Sequence, residues 1–253
     1  MTTLAPAFVT TLRAYTAADR PTVRRIACLT AFRNLGHAAV LPDAALFADY
    51  WTSYYTDFEP ERLVIAEVVR DARSSIVGYL SGCCNTRQHQ RIMARHIVPS
   101  VLRRLTGHAL QLGSGEGRRA RRLLRWMVMR AWREVPHLDS QRFPAHYHAN
   151  LLQEGAGFHF YTRMAVAFVE QLEQSGIAAL HGQVTEWQER GPWGRMVRRF
   201  MDRGLTTVGY TEAPSTMHRE VLGESRPMMN RTIYGSTRDF RAMLLWARDS
   251  YGI

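Results

Sequence analysis

The pattern of hydrophobic and polar residues divides the chain into short strand-like and longer helix-like segments. β-Branched and other apolar residues dominate 62–69 and 75–84, and the polar stretch 70–74 between them predicts an antiparallel hairpin. Further strands are predicted at 11–15, 142–152, 177–184, 205–212 and 229–236.

Apolar residues spaced three and four apart predict helices between these strands. Thr16 or Asp19 can cap a first helix, and Gly176 can end the helix predicted over 157–176. Other helices are predicted at 43–56, 193–204 and 239–251, and the segment 86–134 is predicted to be helical with a break near 111–117. Since no repeat or low-complexity linker interrupts the 253 residues, we expect a single domain over 1–253.

Charge is distributed unusually along this chain. The formal net charge is +11, and all 33 basic residues are Arg. Such a field favours anionic partners, such as nucleic acid, an acidic surface or a phosphorylated cofactor. No apolar run approaches the roughly 20 residues that cross a bilayer, and the first residues do not resemble a secretion signal. We therefore expect a cytoplasmic protein without a membrane partner.

The segment 86–134 concentrates that charge. Leu105, Leu123, Leu124, Met127 and Trp132 are interleaved with its arginines, which predicts an amphipathic basic unit rather than a disordered tail. No nucleic-acid motif and no exposed aromatic interleaving is recognised, so nucleic acid is an unlikely partner and a solvated face, or one serving a cofactor's phosphates, is preferred. The arginines are Arg91, Arg95, Arg103, Arg104, Arg118, Arg119, Arg121, Arg122, Arg125, Arg130 and Arg133.

Three cysteines do not indicate a disulfide framework, and no His or Cys spacing resembles a structural zinc site. Cys83 or Cys84 could be a nucleophile, or both could be small residues buried in a strand. We favour the second interpretation. We expect no metal.

The strand predicted over 142–152 carries the clearest candidate chemistry. Because side chains alternate along a strand, His146, His148 and Asn150 share one face. A histidine titrates near neutral pH and can take a proton from an attacking ammonium, so His146 and His148 are candidate general bases. The alternative is that both are satisfied strand residues lining a polar cleft. Glu67 is a weaker candidate base, and His181 can face the same cleft or pack.

The segments "SIVGYLSG", "AHYHANLLQEGAGF" and "VRRFMDRGLTTVGY", in this order, resemble the GCN5-related N-acetyltransferase (GNAT) superfamily over roughly 10–211. The resemblance implies an α/β (α+β) fold with a mixed, mostly antiparallel central sheet flanked by helices. In this chain, the helical Arg-rich segment would lie between the third and fourth strands. The strand and helix of 212–253 would follow the core.

In that family the fourth strand splays from the fifth, and the pantetheine arm of acyl-CoA lies in the gap. The resemblance implies that main-chain groups of 150–152 contact pantetheine and that the glycine loop and the start of the next helix hold the pyrophosphate. Arg163, one turn into that helix, would reach a phosphate. The cofactor residues implied are Asn150, Leu151, Leu152, Gly155, Ala156, Gly157, Phe158, His159, Phe160 and Arg163.

The chain departs from the family pattern at two places. The basic position of the phosphate loop is Glu154 or Leu152, depending on the register chosen. The tyrosine that protonates the departing thiolate in many members is replaced by Phe200, counted back from Gly204. Another tyrosine, a water or no acid would then serve.

The sequence therefore favours an acyl-CoA-dependent N-acyltransferase, with acetyl-CoA as the first choice of cofactor. A primary amine of a small molecule or peptide would attack the thioester directly, in a pocket shaped by the aromatic helix 43–56. The alternatives are a GNAT-like acyl-CoA-binding or interaction protein without catalysis and, third, a nucleic-acid-binding protein. A homodimer is left open.

Overall fold

The computed structural model describes residues 9–41, 43–70, 73–134, 138–153, 158–189, 195, 199, 202 and 208–251. Seven strands form one sheet in the order β1-β2-β3-β4-β5-β7-β6. All neighbours are antiparallel except β4 and β5, which are parallel. The strands are β1 Val9–Ala14, β2 Leu63–Arg70, β3 Arg73–Cys83, β4 Ala145–Leu151, β5 Ala179–Trp187, β6 Gly209–Pro214 and β7 Met228–Ser236.

The helices lie on both faces of this sheet. A π-helical turn at Met93–Ile97 joins α3 to α4. The helices are α1 Arg20–Asn34, α2 Ala44–Asp57, α3 Thr86–Ile92, α4 Val98–Ala109, α5 Gly115–Met129, α6 Ala131–Glu134, α7 Phe158–Gln174, α8 Thr216–Glu220 and α9 Thr237–Tyr251. Within the described ranges, no helix combines the length and the apolar character that a membrane span requires.

One face of the sheet packs on α7 and α9. Alternate residues of the central strands, such as Leu80 and Leu180, meet Phe168 of α7 and Leu244 of α9, all fully buried. The burial of these side chains stabilises the layer by roughly 2 kcal/mol each. Helix α7 ends at Gln174, and Gly176 two residues later has a φ of 72°, the left-handed conformation expected of a glycine that follows a helix, as predicted.

The other face packs on α1, α2 and the helices inserted between β3 and β4. Ile65, Tyr79 and Cys83 of the sheet meet Ile26 of α1 and Leu105 of α4 in a second buried cluster. Asp43 caps α2 by accepting from the Leu46 N–H at 2.8 Å. The predicted sheet, its flanking helices and the helical Arg-rich insertion are thus confirmed.

Several boundaries differ from the sequence predictions. Helix α1 departs from helical geometry after Thr30, since Ala31 is extended and Phe32 and Arg33 have φ of 52° and 60°. Strand β6 is described from Gly209, whereas 205–212 was predicted. Trp132, predicted among the apolar residues of the insertion, is 57% exposed. Most of the helix predicted over 193–204, including Trp193, Met196, Phe200 and Gly204, lies outside the described residues.

Candidate active site

Strands β4 and β5 separate after a short parallel contact. Only Ala145 with Leu180 and His146 with His181 are paired, although both strands continue well beyond these residues. On its other side, β4 is paired with β3 along its whole length up to Leu151. A wedge-shaped gap therefore opens in the middle of the sheet, and β4 forms one of its walls.

The register of β3 and β4 determines which main-chain groups face this gap. The Leu152 N–H donates to the Val77 carbonyl at 2.8 Å, and the register shows no bulge from there to His146. Because alternate residues of an antiparallel strand turn their N–H and C=O groups to opposite sides, those of Tyr147, Ala149 and Leu151 face β5. Of the residues expected to contact pantetheine, Leu151 has its amide toward the gap, and Asn150 and Leu152 do not.

His146, His148 and Asn150 share the β4 face that meets α1 and α2, as the alternation predicts. The Asn150 side chain lies between the hydroxyl groups of Thr30 in α1 and Tyr79 in β3, at 2.9 Å from each. The opposite β4 face carries Tyr147, which packs on α7. The three polar side chains thus stand at the splay, on the side of the sheet opposite α7.

Both ring nitrogens of His146 have partners. Its Nε2 lies 3.2 Å from the Tyr55 hydroxyl of α2, and its Nδ1 lies 2.8 Å from Thr86 Oγ1 at the start of α3. The side chain is buried, and burial together with the neighbouring histidines holds the pKa of His146 well below its ordinary value. This histidine is therefore neutral and held in one orientation.

His148, two residues further along β4, is less constrained. Its ring meets Trp51 and Tyr55 edge-on, with centroids 6.3 and 6.1 Å away. No hydrogen bond joins its ring nitrogens to any of the residues that the structure describes. Burial lowers the pKa of His148 to about 4, with a smaller contribution from His181. At neutral pH it presents an uncharged ring with a free lone pair.

Two more histidines complete the cluster. His181 Nδ1 lies 3.1 Å from the Phe143 carbonyl, an arrangement in which Nδ1 donates and Nε2 keeps its lone pair. His89 of α3 stands 4.9 Å from the His146 ring, and burial lowers its pKa to about 4. Sequence analysis missed His89, because helical spacing does not indicate which strand a helix will cover. Among the described residues, no group of three or more His, Cys, Asp or Glu is arranged to hold a metal ion.

Aromatic side chains of α2 extend from this cluster as a wall. The ring centroids of Trp51 and Phe47 are 6.0 Å apart, and those of Phe47 and Phe32 are 5.7 Å apart. Phe32 lies at the break in α1. Trp51 is 41% exposed, although it stands beside His148. Phe47 is buried in a small cluster with Ala48, Cys28 and Ala31, so the role of helix 43–56 in shaping a pocket stays a prediction.

Glu67 lies apart from the histidines. It faces Ile76 near the start of β3, whereas His146 faces Cys83 at the end of that strand. Its carboxylate pairs with Arg13 at 2.8 Å, and Arg13 also binds Asp19 at 2.7 Å. The structure does not bring Glu67 to the candidate site.

The residues expected to hold phosphate are only partly described. Gly155, Ala156 and Gly157 lie outside the described residues, as does Glu154, and α7 begins at Phe158. Phe160, in the first turn of α7, is buried in the core. Arg163 donates to Thr10 Oγ1 of β1 at 2.9 Å and lies 3.4 Å from His159. Its position beside β1 does not support the expected phosphate contact.

The cysteines form no disulfide, and Cys83 lies opposite His146 in the sheet. Cys83 is buried, and burial raises the pKa of its thiol; burial raises that of Cys84 to about 11. Both thiols are therefore protonated at neutral pH, which agrees with the structural interpretation of these residues.

Glu134, at the end of the insertion, is hydrogen-bonded to the far wall of the gap and to the elements next to it. Glu134 accepts from the Thr216 and Met217 N–H groups at the start of α8, from the Thr216 hydroxyl and from Asn230 of β7. Its own carbonyl accepts from Gln183 of β5 at 3.0 Å. These bonds connect α6 to α8, β5 and β7.

No protein-family model and no curated protein matches this chain in sequence. Among solved structures, the crystal structure of SsHAT is similar, with 21% identity and a TM-score of 0.59 over 90% of this chain and 98% of that one. Weaker likenesses include a phosphinothricin acetyltransferase from Sinorhizobium meliloti in complex with AcCoA (13% identity, TM-score 0.45, covering 90% of this chain and 88% of that one). Another is a polyamine N-acetyltransferase from Drosophila melanogaster (10% identity, TM-score 0.47, covering 90% and 100%).

Three observations agree on the fold. They are the sheet with its parallel, splayed β4 and β5, the helices on both of its faces, and the likeness to SsHAT. The chain has the fold of the GCN5-related N-acetyltransferases.

Proposed function

We propose that this protein is an acyl-CoA-dependent N-acyltransferase, with acetyl-CoA as the donor and a primary amine as the acceptor. The observation that carries the proposal is the gap between β4 and β5, where two parallel neighbours share only two residue pairs. An open strand edge in the middle of a sheet leaves N–H and C=O groups without partners, and such groups need a partner when a ligand or the protein covers them.

A pantetheine arm fits this edge. Its amide groups can pair with Tyr147, Ala149 and Leu151 of β4 as an added strand would. The thioester supplies the activated acyl group. An N–H of β4 near the splay can donate to its carbonyl oxygen, where negative charge develops when the amine attacks. The start of α7, where the helix dipole favours negative charge, suits the phosphates.

His148 is the best candidate for the general base. Its ring nitrogens form no hydrogen bond with the described residues, and the ring is neutral at pH 7 and lies beside Trp51, which is partly exposed. A pKa of about 4 makes it a weak base in the free protein. The burial that lowers this pKa also lowers that of an amine entering the same pocket, so the difference between the two pKa values does not widen. His181 Nε2 is a second acceptor.

His146 fits a positioning role, since Tyr55 and Thr86 occupy its nitrogens. Glu67 is a weaker candidate, because its carboxylate is committed to Arg13. The aromatic wall of Trp51, Phe47 and Phe32 suits the apolar part of a small-molecule or peptide amine.

Donor binding and turnover are tested separately. Calorimetric titration with CoA, acetyl-CoA and longer acyl-CoAs measures the donor preference, and we expect micromolar affinity for at least one. Release of free CoA in the presence of a panel of amines and amino-terminal peptides then measures transfer. Binding without transfer to any amine would favour the non-catalytic acyl-CoA-binding alternative, and absence of binding would contradict the proposal.

A further inference from the structure

Almost all of the net charge of the chain comes from the insertion α3–α6. Between Thr86 and Glu134 the sequence contains twelve arginines and only two acidic residues, Glu116 and Glu134. Both carboxylates are engaged, Glu116 with His108 and Glu134 with the start of α8. The insertion therefore carries a basic surface with no internal compensation.

Most of these arginines have no acidic partner among the described residues. Arg104 binds Asp43 and Asp49, and Arg130 lies 3.9 Å from Glu220. The other ten form no ion pair in the described ranges; they are Arg87, Arg91, Arg95, Arg103, Arg118, Arg119, Arg121, Arg122, Arg125 and Arg133. A few of these donate to main-chain carbonyls, as Arg121 does to Ala109.

The exposed arginines form rows along the helix axes. Arg118, Arg122 and Arg125 lie on the outer side of α5, whose buried side carries Ala120. Successive members are about 4.5–6 Å apart along the axis, given a rise of 1.5 Å per residue. Each guanidinium can therefore reach a different phosphate of an extended backbone. One guanidinium can donate two parallel hydrogen bonds to a phosphate, whereas a lysine ammonium acts as a point charge.

A second row lines a groove on α3 and the π-helical turn. An open groove of about 360 Å³ is lined by Arg87, Arg91, Arg95, Gln90 and Ala94. Three guanidinium groups and one amide thus face one concave surface. π-Helical turns occur frequently at functional sites, and here the turn spans Arg95.

An exposed aromatic residue accompanies the arginines. Trp132 is 57% exposed, and the Arg133 guanidinium lies 4.8 Å from its ring centroid. An exposed ring flanked by a guanidinium offers a stacking surface for a base. A helix lying on a membrane would instead turn its apolar side outward. Leu123, Leu124 and Met127 of α5 pack inward against the second cluster, and of its apolar side chains only Val128 and Met129 at the end of the described helix are exposed.

The position of the insertion indicates that its arginines do not bind the phosphates of the acyl donor. α4 and α5 pack with α1 and α2, on the face of the sheet opposite α7. The start of α7, where we place the phosphates of the donor, is therefore on the other side. The arginines of α4 and α5 are therefore not placed to bind those phosphates.

We propose that the outer face of α3–α5 binds a single-stranded nucleic acid, with the arginine rows on its phosphates and Trp132 against a base. This proposal does not depend on acyl transfer. Single-stranded binding of this kind is salt-dependent, because each phosphate contact releases counterions, and tolerant of sequence, because every base can stack.

The test is fluorescence anisotropy of the full chain with a labelled single-stranded 15-nucleotide RNA of mixed sequence, without acyl-CoA, between 50 and 200 mM salt. We expect the triple variant Arg118→Gln, Arg122→Gln, Arg125→Gln to bind at least tenfold more weakly at 50 mM salt. The slope of log affinity against log salt should become shallower by about 2, because each of the three lost phosphate contacts contributes roughly 0.7 to it. Trp132→Ala should lose about tenfold.

A matched control removes the same charge elsewhere. Arg70, Arg73 and Arg238 are exposed and form no ion pair among the described residues, and changing all three to Gln should alter the affinity less than twofold. An equal loss in the control would overturn the proposal, as would failure of the unaltered protein to bind at 50 mM salt. Tighter binding to anionic phospholipid vesicles or to polyglutamate than to the RNA would also overturn it. Circular dichroism verifies that each variant is folded.

Discussion

The Tyr55 hydroxyl lies 3.2 Å from Nε2 of His146, so a helix on one face of the sheet fixes a histidine at the point where β4 and β5 part. Thr86 holds the other nitrogen of the same ring at 2.8 Å. His148 lacks such partners among the described residues. Two histidines on the same strand face therefore stand in different environments, and substitutions can separate their proposed roles.

We predict that His148→Gln lowers kcat by at least about 100-fold with little change in stability, as expected when a general base is removed. The assay is steady-state release of CoA with the best amine of the panel. His146→Gln and Tyr55→Phe serve as matched variants. Tyr55→Phe leaves a buried ring nitrogen without its partner, so it should lower the free energy of unfolding by about 1–3 kcal/mol while kcat falls less than tenfold. Full activity of His148→Gln would remove it as the base.

The open edge of β4 gives a second prediction. The Ala149 N–H faces the gap and takes no part in the ladder with β3, so Ala149→Pro should fold. The proline ring removes that donor and occupies the edge. We expect the Kd for acetyl-CoA to rise at least tenfold in calorimetry, whereas the thermal unfolding temperature without ligand changes by only a few degrees. A folded variant with an unchanged Kd would show that the donor does not lie on this edge.

The histidine cluster predicts a specific loss of stability in acid. Burial lowers the pKa of His89 and His148 to about 4, whereas unfolded histidines titrate near 6.5. Between these values the unfolded chain binds protons that the folded one does not. The stability contribution of the neutral rings is therefore complete above pH 6.5 and is lost as pH falls toward 4. We expect a loss on the order of 2 kcal/mol per histidine, measured by urea unfolding at pH 7.5 and 4.5.

The double variant His89→Gln, His148→Gln is the control for this effect. It should be less sensitive to pH over the same interval, since two of the depressed groups are gone. An unchanged difference between the two pH values would assign the acid sensitivity to other groups.

Part of this arrangement follows from sequence and part does not. Alternation along a strand places His146, His148 and Asn150 on one face, because side chains of a strand can only point to one side or the other. The hairpin of β2 and β3 and the helix over 157–176 follow equally from local patterns. These features depend on neighbours in sequence.

Features that depend on distant contacts were not predicted. His89 joins the cluster because the insertion folds back over α2, and nothing in its helical spacing indicates that. The extended and left-handed residues Ala31–Arg33 interrupt a helical pattern that continues in the sequence. Trp132 was expected among apolar partners and is exposed, because α6 lasts only four residues and has no helix against that side chain in the described part.

The contact between β3 and α7 supplies a fourth prediction, matched between two glycines. A Cβ on Gly82 would come within 2.1 Å of the Phe168 ring in the middle of α7, whereas one on Gly182 of β5 would meet its nearest atom, Tyr147 Cε1, at 3.9 Å. We expect Gly82→Ala to lower the free energy of unfolding by about 1–3 kcal/mol and Gly182→Ala by less than about 1 kcal/mol.

Urea unfolding of both variants measures the difference. Combining Gly82→Ala with Phe168→Leu should recover part of the loss, because the smaller side chain makes room for the new methyl group. Equal effects of the two glycine substitutions on the free energy of unfolding would show that the close packing of β3 against α7 does not require a glycine at position 82.

Glu134 gives the basic helices a mechanical connection to the gap. Its carboxylate holds α8 and β7, and its carbonyl holds Gln183 on β5, so the last turn of the insertion is fastened to the strand that forms the second wall of the gap. Hydrogen bonds of Glu134 therefore connect the insertion with β5 and β7. We expect a long anionic partner bound to α3–α5 to act on the contacts that hold β5. Its binding would then change the distance between β4 and β5, and with it the width of the cleft.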